Sequence, residues 1–387
     1  DDDAVVAKYL DHLPLYRQSA MLLRDAGVPL HRSTLCGWVM RVGDLLLPIA
    51  EAMKRELLAG DYIQADETPL AVQTHDGRGK NHQAYLWQYS APFDGSPDDV
   101  SKSGGIIPGG IVPGGADSEG TVRGGTVRGG TVRGGTVRGG TVRGGTVRGD
   151  AVRGGTGRGG TVRGGTVLFD FQMGRGREAP KKMLRDFAGI LQTDGYAAYD
   201  KVGAAGMRHA ACWAHARRKF VEAAKLNAKD RAAVEVVDLM DALFAIDCEA
   251  RESGMSFEER HALRLEKAAP LVAGIEKKLR ELRPAALPRS ALGQAVNYTL
   301  NLWPRLELFL AHPVVELSTN LAENSMRGVA LGRKNWIHLG GAQAGPKVAA
   351  ILSVAETCRR QGLPVREYLL AILPGMADRK RSETAHL

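Results

Sequence analysis

Three carboxylates, Asp66, Asp194 and Glu323, each sit inside a distinctive string, and a fold that uses them together must bring three remote segments to one place. The strings are Tyr62-Ile63-Gln64-Ala65-Asp66-Glu67-Thr68-Pro69, Leu191-Gln192-Thr193-Asp194-Gly195-Tyr196 and Ser318-Thr319-Asn320-Leu321-Ala322-Glu323-Asn324-Ser325-Met326-Arg327. Acidic residues are ordinary on protein surfaces, so their presence alone says little. Their setting says more. The first two close short apolar runs and the third lies on an expected helix, an arrangement that lets distant segments aim carboxylates at one shared pair of cations.

The 387 residues can bury a full core and divide into two or three domains. Hydrophobic content of 44% and charged content of 25% are ordinary for a soluble chain. No run of about eighteen apolar residues occurs, so no membrane span is expected. The sequence opens Asp1-Asp2-Asp3, without Met and without the basic and apolar regions of a signal peptide. A start inside a longer reading frame, or after processing, and residence in the cytoplasm are the expectations. Cys36, Cys212, Cys248 and Cys358 are widely spaced and form no CxxC pair, which argues against a disulfide framework and a zinc site built from cysteine alone. The net charge of +9 is misleading as a sign of polyanion binding. Residues 121–166 hold nine Arg and one Asp, so this segment carries eight of the nine charges and the remainder is nearly neutral. Local basic clusters must carry any argument for DNA.

Residues 1–60 read as helical. An apolar pattern runs through Leu13, Tyr16, Ala20, Leu23 and Ala26 and breaks at Gly27-Val28-Pro29. Ser33 or Thr34 can cap a second helix carrying Leu35, Trp38, Val39, Val42 and Leu46. The pair reads equally as a DNA-reading helix-turn-helix or as a plain helical hairpin. From Asp61 the pattern changes to strands at Tyr62–Val72, Ala84–Tyr89 and Val167–Phe171, then a helix at Glu178–Phe187, a strand at Ile190–Thr193, and a fifth at His209–Trp213 running into a basic helix at Ala214–Ala224. Residues 221–312 read as all-helical, and a last helical stretch covers about 320–375 with breaks near Gly340-Gly341 and Pro364.

Between the second and third strands lies low-complexity sequence: 101–120 is rich in Gly, Pro and Ser, and 121–165 holds nine near-copies of Thr-Val-Arg-Gly-Gly. Two Gly in five are costly to order and one Val per unit is little to bury. A solenoid is conceivable, but a disordered basic excursion at a hairpin tip, passive or touching DNA phosphates non-specifically, is the expectation. The order strand–strand–strand–helix–strand is that of a ribonuclease-H-like α/β domain. Asp66 and Asp194 are 128 positions apart, and removing residues 100–166 leaves 61, which suits neighbouring strands joined by a hairpin and a crossover helix. The expected division is a helical segment at 1–60, the first part of the catalytic domain at 61–220 interrupted by 100–166, an all-helical insertion at 221–315, and the Glu-bearing helix with the C-terminal helical region at 316–387.

Cutting a phosphodiester needs an activated water or hydroxyl, neutralised charge at phosphorus and a stabilised leaving oxygen. Two divalent ions roughly 3.5–4 Å apart supply all three if carboxylates hold them. Mg²⁺ prefers such oxygen ligands. Asp66 would bridge both ions, with Asp194 and Glu323 each completing one side. Glu323 has a structural rival, because Asn320-Leu321-Ala322-Glu323 fits a capping box in which Asn320 caps and Glu323 reaches back. At 100° per residue, however, Arg327 lies about 40° and Lys334 about 20° from Glu323, a face suited to a metal ligand beside phosphate contacts. Cys212-Trp213-Ala214-His215-Ala216-Arg217-Arg218-Lys219-Phe220 is the other dense string. Cys212 and His215 have the spacing of half a zinc site with no second half visible, and a core Cys with a surface His is the commoner outcome. His215 could contact the scissile phosphate or orient water. Arg217, Arg218 and Lys219 form a phosphate-binding patch or a solvated helix face. No P-loop, dinucleotide fingerprint or GxSxG elbow occurs.

Asp-Glu-Thr-Pro at 66–69, Asp-Gly-Tyr-Ala-Ala-Tyr at 194–199, Cys-Trp-Ala-His-Ala-Arg-Arg-Lys-Phe at 212–220 and Ala-Leu-Gly-Arg-Lys-Asn-Trp at 330–336 resemble the insertion sequence 66 family of bacterial transposases. His-Leu-Pro-Leu-Tyr-Arg-Gln at 12–18 and Arg-Ser-Thr-Leu-Cys-Gly-Trp-Val at 32–39 resemble the segment preceding that family's catalytic domain. The resemblance covers nearly the whole chain outside about 94–166. It implies a DDE transposase, with Asp66, Asp194 and Glu323 as the metal-binding triad for two Mg²⁺ (or Mn²⁺) ions; the candidate DNA-phosphate contacts are His215, Arg217, Arg218, Lys219, Arg327, Arg333 and Lys334. It also implies double-stranded DNA, both transposon ends and target, as partner, with homo-oligomers on DNA and accessory element-encoded proteins. Cys212 and His215 match a Cys-x-x-His element found after the second Asp in several DDE groups. The sequence departs from the family in having Thr319, Asn320 and Asn324 around Glu323, in the Gly/Arg repeat, and in lacking the usual amino-terminal zinc-binding and coiled-coil region. Alternatives are a truncated or decayed copy that binds DNA without transposing, and a ribonuclease-H-like cellular nuclease.

Overall fold

A computed structural model describes residues 2–74, 79–91, 165–227 and 231–377, together with the backbone of six Val-Arg pairs in the repeat. Its centre is a five-stranded mixed sheet. The strands are β1 (Tyr62–Val72), β2 (His82–Ser90), β3 (Val167–Gln172), β4 (Ile190–Thr193) and β5 (Arg208–Ala211), in the spatial order β5-β4-β1-β2-β3. Pairs β1–β2 and β2–β3 are antiparallel, while β1–β4 and β4–β5 are parallel. The strand positions follow the expected runs to within a residue or two, and the helix at Glu178–Met183 (α4) is shorter than the expected 178–187.

Alternation along β1 divides its side chains between two cores. Ile63 and Ala65 join the larger cluster, which is formed with α3 (Arg32–Ala59), α13 (Gly345–Arg360) and α14 (Val365–Ala377). Tyr62 joins a second cluster with α5 (Trp213–Leu226), α6 (Arg231–Glu252) and, beyond α7 (Phe257–Leu263), the helices α8 (Ala269–Ala285), α9 (Ala291–Asn301), α10 (Trp303–Leu306) and α11 (Leu308–Ala311). The helix α12 (Asn320–Trp336) crosses β1 and β2, burying Met326 and Val329 in the larger cluster. The all-helical character expected for 221–312 is what the described residues show.

The amino-terminal helices correct two expectations. The cap of α3 is His31, whose ring accepts the Ser33 amide at 3.3 Å, and neither Ser33 nor Thr34 serves. In α2 (Leu15–Ala26), Tyr16 and Leu23 are exposed and Gln18 is the buried residue. Gln18 donates to the carbonyl of Ala4 in α1 (Asp2–Tyr9) and to that of Leu13 in the loop after it, and this anchor turns the expected apolar face outward. The two helices form a hairpin in which α3 buries positions from Leu35 to Leu57 along its length.

The repeat leaves the sheet where a hairpin tip would stand: Ser90 pairs with Val167, and the Ala91 amide donates to Thr166. Within it, Val122–Arg123, Val127–Arg128 and Val132–Arg133 pair in parallel with Val137–Arg138, Val142–Arg143 and Val147–Arg148. These pairs are strands, contrary to the expected irregular excursion. Each partner lies fifteen residues on, which is three pentapeptides, and backbone pairing at a fixed offset needs no large apolar residue. The remainder of 92–164, with its expected passive or DNA-touching role, lies outside the described residues.

A buried ionic hub ties the helical block to the segment entering α12. Asp247 accepts from Arg260 and Arg264, at 3.0 and 2.7 Å, while Arg260 also reaches Glu316 at 2.9 Å. Burial opposes ionisation of Asp247, but the two guanidiniums outweigh it and hold the carboxyl below its usual range.

Packing of α3 on α13 is tight at one point. A Cβ on Gly43 would meet Lys347 Cβ at 2.6 Å and its backbone at 3.2 Å, whereas one on Gly37, six residues earlier, would meet nothing within 4 Å. The same substitution is therefore expected to act in opposite directions. Gly37→Ala should stabilise by up to about 1 kcal/mol through helix propensity. Gly43→Ala should instead destabilise, because overpacking of about 1–3 kcal/mol exceeds that gain. Urea unfolding of the two variants measures both.

Candidate functional site

The parallel ladder between β1 and β4 ends at Gln64 and Gln192. Asp66 lies two positions beyond the first and Asp194 two beyond the second, so alternation places both aspartates on the face of these two glutamines. The glutamines are fully buried and hold the segment that leads to Glu323. Gln64 Nε2 donates to the Ser318 carbonyl at 3.0 Å, and Gln192 Nε2 donates to the Glu316 carbonyl at 2.6 Å. Tyr62 Oη donates to Gln192 Oε1 at 2.5 Å and accepts the Glu316 amide at 3.1 Å. Seven residues after Glu316, on the first turn of α12, stands Glu323.

The Cys212–His215 string completes this attachment. The Trp213 amide donates to the Leu317 carbonyl at 2.9 Å, and the Cys212 thiol accepts the amide of Thr319, the residue that precedes α12, at 3.4 Å. One turn into α5, His215 Nε2 lies 3.5 Å from Glu323 Oε1. Burial works against the Cys212 thiolate, but its pairing with His215 and the Thr319 amide brings the thiol below its usual range. Burial likewise opposes the His215 imidazolium, and Cys212, Asp194 and Glu323 together raise it. Cys212 and His215 hold the start of α12 against α5; no zinc is needed to explain their spacing.

His215 thus stands beside Glu323, and its charge also acts on Asp66 and Asp194. Asp194 closes a tight turn, its Oδ1 accepting the Tyr196 amide at 2.8 Å, and its carbonyl accepts the Tyr298 hydroxyl. Gly195, at φ +91°, fits this turn where an L side chain would be strained, and an added Cβ would strike Leu302 at 2.7 Å. Glu323 does not cap its helix: Thr319 is the cap residue and makes no side-chain bond. The carboxylate is turned instead toward His215 and Arg218, the latter at 3.5 Å.

The basic residues separate into groups. Arg218 faces Glu323. Arg217 is held by Asp241 on α6, and Lys219 lies over the Tyr298 ring, 4.6 Å from its centroid. Arg333 donates to the Pro69 carbonyl. Arg327 and Lys334 are exposed on α12. Three residues that sequence reasoning passed over also build the site: Gln64, Gln192 and Tyr298. For the glutamines a signal existed, namely a polar residue two positions before each Asp in an otherwise apolar run.

The donors are carboxylate oxygens, the chemistry of a hard divalent cation. Glu323 Oε1 is buried and makes no hydrogen bond, an atom suited to accepting such an ion. Among the described residues, no three His, Cys, Asp or Glu side chains close on one point at metal-holding distance. The carboxylates share a region rather than a single point. Burial, then the charges of Glu67 and Asp194, push the Asp66 carboxyl from 3.8 to about 6, against the Glu67 amide and His215, which favour its charged form.

Because the folded value exceeds the unfolded one, Asp66 stabilises the fold below about pH 4, and this contribution is lost as pH rises through 6. Two units correspond to about 3 kcal/mol. In metal-free protein, Asp66→Asn is therefore expected to reduce the loss of stability between pH 4 and 7.5 by up to about that amount. Urea titrations at a series of pH values test this, and parallel pH curves for the two proteins would contradict it.

The Transposase IS66 family matches this chain over residues 3–99 and 156–347, on either side of a gap that holds most of the repeat. Among curated proteins, the uncharacterized protein y4jD of Sinorhizobium fredii (strain NBRC 101917 / NGR234) is 28% identical over 376 residues, covering 95% of this chain and 60% of the relative. A second from that organism, uncharacterized protein y4qI, is 27% identical over 381 residues, covering 96% and 58%. The chain thus spans less than two thirds of the length of the curated relatives it matches. No solved structure matches it. Matched over most of its length, the chain belongs to the IS66 family of transposases.

Proposed function

We propose that this chain carries the DNA-cutting and strand-joining centre of an insertion-sequence transposase, built on a ribonuclease-H-like sheet. The observation that carries the reading is the placement of Asp66 and Asp194 just beyond the paired ends of β1 and β4, on the face where Gln64 and Gln192 hold the segment that leads to Glu323 at the start of α12. The sheet order β5-β4-β1-β2-β3 supports it, as does family membership. In this reading 1–60 is a helical DNA-side segment, 61–220 begins the catalytic domain around the repeat, 221–315 is a helical insertion, and 316–387 brings the Glu-bearing helix back.

Asp66, Asp194 and Glu323 would hold two Mg²⁺ (or Mn²⁺) ions, which when bound activate the attacking water or 3′-hydroxyl and offset charge at phosphorus. The chain's own residues do the rest. His215 and Arg218 orient the Glu323 carboxylate and lie where a phosphate would approach it. Arg327 and Lys334, exposed along the same helix, contact the DNA backbone on the outward side. Arg217, Lys219 and Arg333 act at one remove, holding α6, Tyr298 and the end of β1 in place. The partner is double-stranded DNA, transposon ends and target. Copies of the chain assemble on it with accessory proteins of the element, in the bacterial cytoplasm.

Asp66→Asn, Asp194→Asn and Glu323→Gln should each fold and should each lower Mg²⁺-dependent cleavage of DNA carrying the element's ends by at least roughly 10³-fold. Glu323→Gln is the sharpest of the three because no cap bond is lost with it. Substantial cleavage by that variant would remove Glu323 from the site.

Replacing Arg327 or Lys334 by Ala should weaken DNA binding evenly across sequences. The slope of log affinity against log salt should become shallower by about 0.9 for each lost contact. A change confined to one sequence would mean a base contact instead.

A further inference from the structure

The ladder that joins β1 to β4 stops at Gln64 and Gln192, so no backbone pairing fixes the distance between Asp66 and Asp194 beyond it. On the opposite face of β1 from Asp66 there is a second set of bonds that the site described above does not use. Glu67 is a buried carboxylate, its side chain 4% exposed, and both its oxygens are engaged. Arg175, from the loop after β3, donates to Oε1 through Nε at 3.0 Å and Nη2 at 2.7 Å. The Tyr199 hydroxyl donates to Oε2 at 3.1 Å. The Arg175 guanidinium also lies over the Tyr196 ring, 4.2 Å from its centroid, and the Tyr196 hydroxyl donates to the Arg175 carbonyl at 3.1 Å. Tyr196 and Tyr199 meet edge to face at 6.3 Å. These contacts form a closed ring: β1 through Glu67, the loop through Arg175, and the Asp194 turn through Tyr196 and Tyr199.

We propose that Glu67 and Arg175 are positioning residues, a charge clamp that fixes the Asp194 turn against β1 and so sets the spacing of the two aspartates. The guanidinium is suited to this because one planar group satisfies a carboxylate at its edge and a ring at its face simultaneously. Tyr196 links the clamp to the site directly, since its amide is the group that Asp194 Oδ1 accepts. A buried ion pair serving only to hold the loop after β3 would leave the Asp194 turn indifferent to its loss. The metal consequence of the clamp rests on the carboxylate reading given under Proposed function; the clamp itself does not.

Two measurements on the full chain separate these matters. In the metal-free protein, hydrogen exchange followed by mass spectrometry should be at least about tenfold faster in peptides covering 194–199 for Arg175→Met. Peptides of β1 before Asp66 and of α5 should stay unchanged. Arg175→Lys should recover most of the protection, and Glu67→Gln, a milder change, should loosen the same peptides. Unchanged exchange at 194–199 in Arg175→Met and Glu67→Gln overturns the clamp. Mn²⁺ is then titrated against each protein and the free ion read by its paramagnetic resonance signal. Arg175→Met should bind Mn²⁺ about tenfold more weakly than the wild type, the scale on which outer partners of metal ligands act. Faster exchange with unaltered Mn²⁺ affinity would show that the clamp holds the turn without setting the aspartate spacing, and would overturn that part. Asp66→Asn is the control for the underlying reading. If it binds Mn²⁺ as well as the wild type, the carboxylate site is wrong, while the exchange data still decide the clamp.

Discussion

Parallel pairing of β1 with β4 over only three residue pairs is the constraint on which the site depends, because it aligns Gln64 with Gln192 and then stops. Two buried amide NH2 groups left facing the same side need acceptors, since an unpaired buried polar group costs roughly 1–3 kcal/mol. They find them in the carbonyls of Ser318 and Glu316. The segment before α12 is therefore drawn to the middle of the sheet by the requirement to satisfy strand side chains. Glu323 arrives beside His215 as a geometric result. The Cys212 thiol, accepting the Thr319 amide, fixes the last residue before the helix.

A site assembled in this way collects like charge. Asp66 is buried near Glu67 and Asp194, and its carboxyl is displaced upward for that reason. Opposing this are His215, raised by its carboxylate neighbours, and Arg218 at the edge. Such an arrangement costs stability, and perturbed carboxylates of this kind mark a candidate functional site. Stability is secured elsewhere, in the core shared by α3, α13 and the sheet, while the hub where Arg260 and Arg264 surround Asp247 links the helical block to the segment before α12. Through Glu316 that hub reaches the very segment the glutamines hold, so the helical block supports the position of α12 as well as its own packing.

How much of this could be read beforehand depended on whether the signal was local. The strand runs were legible because period-two alternation and β-branched residues mark a pleated strand wherever it lies; Tyr62–Val72 and Ile190–Thr193 fell where expected. The amphipathic pattern of α2 misled, because one long-range anchor, Gln18 on the carbonyls of Ala4 and Leu13, outweighed the apolar face of a short helix. The capping box at Asn320 misled in a similar way. The local string allowed it, but His215 and Arg218, more than a hundred positions earlier, offered Glu323 other neighbours.

By itself the sequence determined the strand and helix order, the candidate carboxylates and the place of the repeat between two paired strands. Each of these is set by neighbours a few residues apart. Only the tertiary structure decided the partners: that Arg217 belongs to Asp241, that Cys212 and His215 hold a helix start, and that Glu67 is engaged by Arg175 and Tyr199. It decided the repeat as well, where pairing fifteen residues on makes strands of Val-Arg units whose composition suggests none. The physical reason is the same throughout. Propensity and periodicity act along the chain, whereas charge pairing, buried amide satisfaction and strand stacking act across space, between residues whose separation in sequence carries no information about their contact.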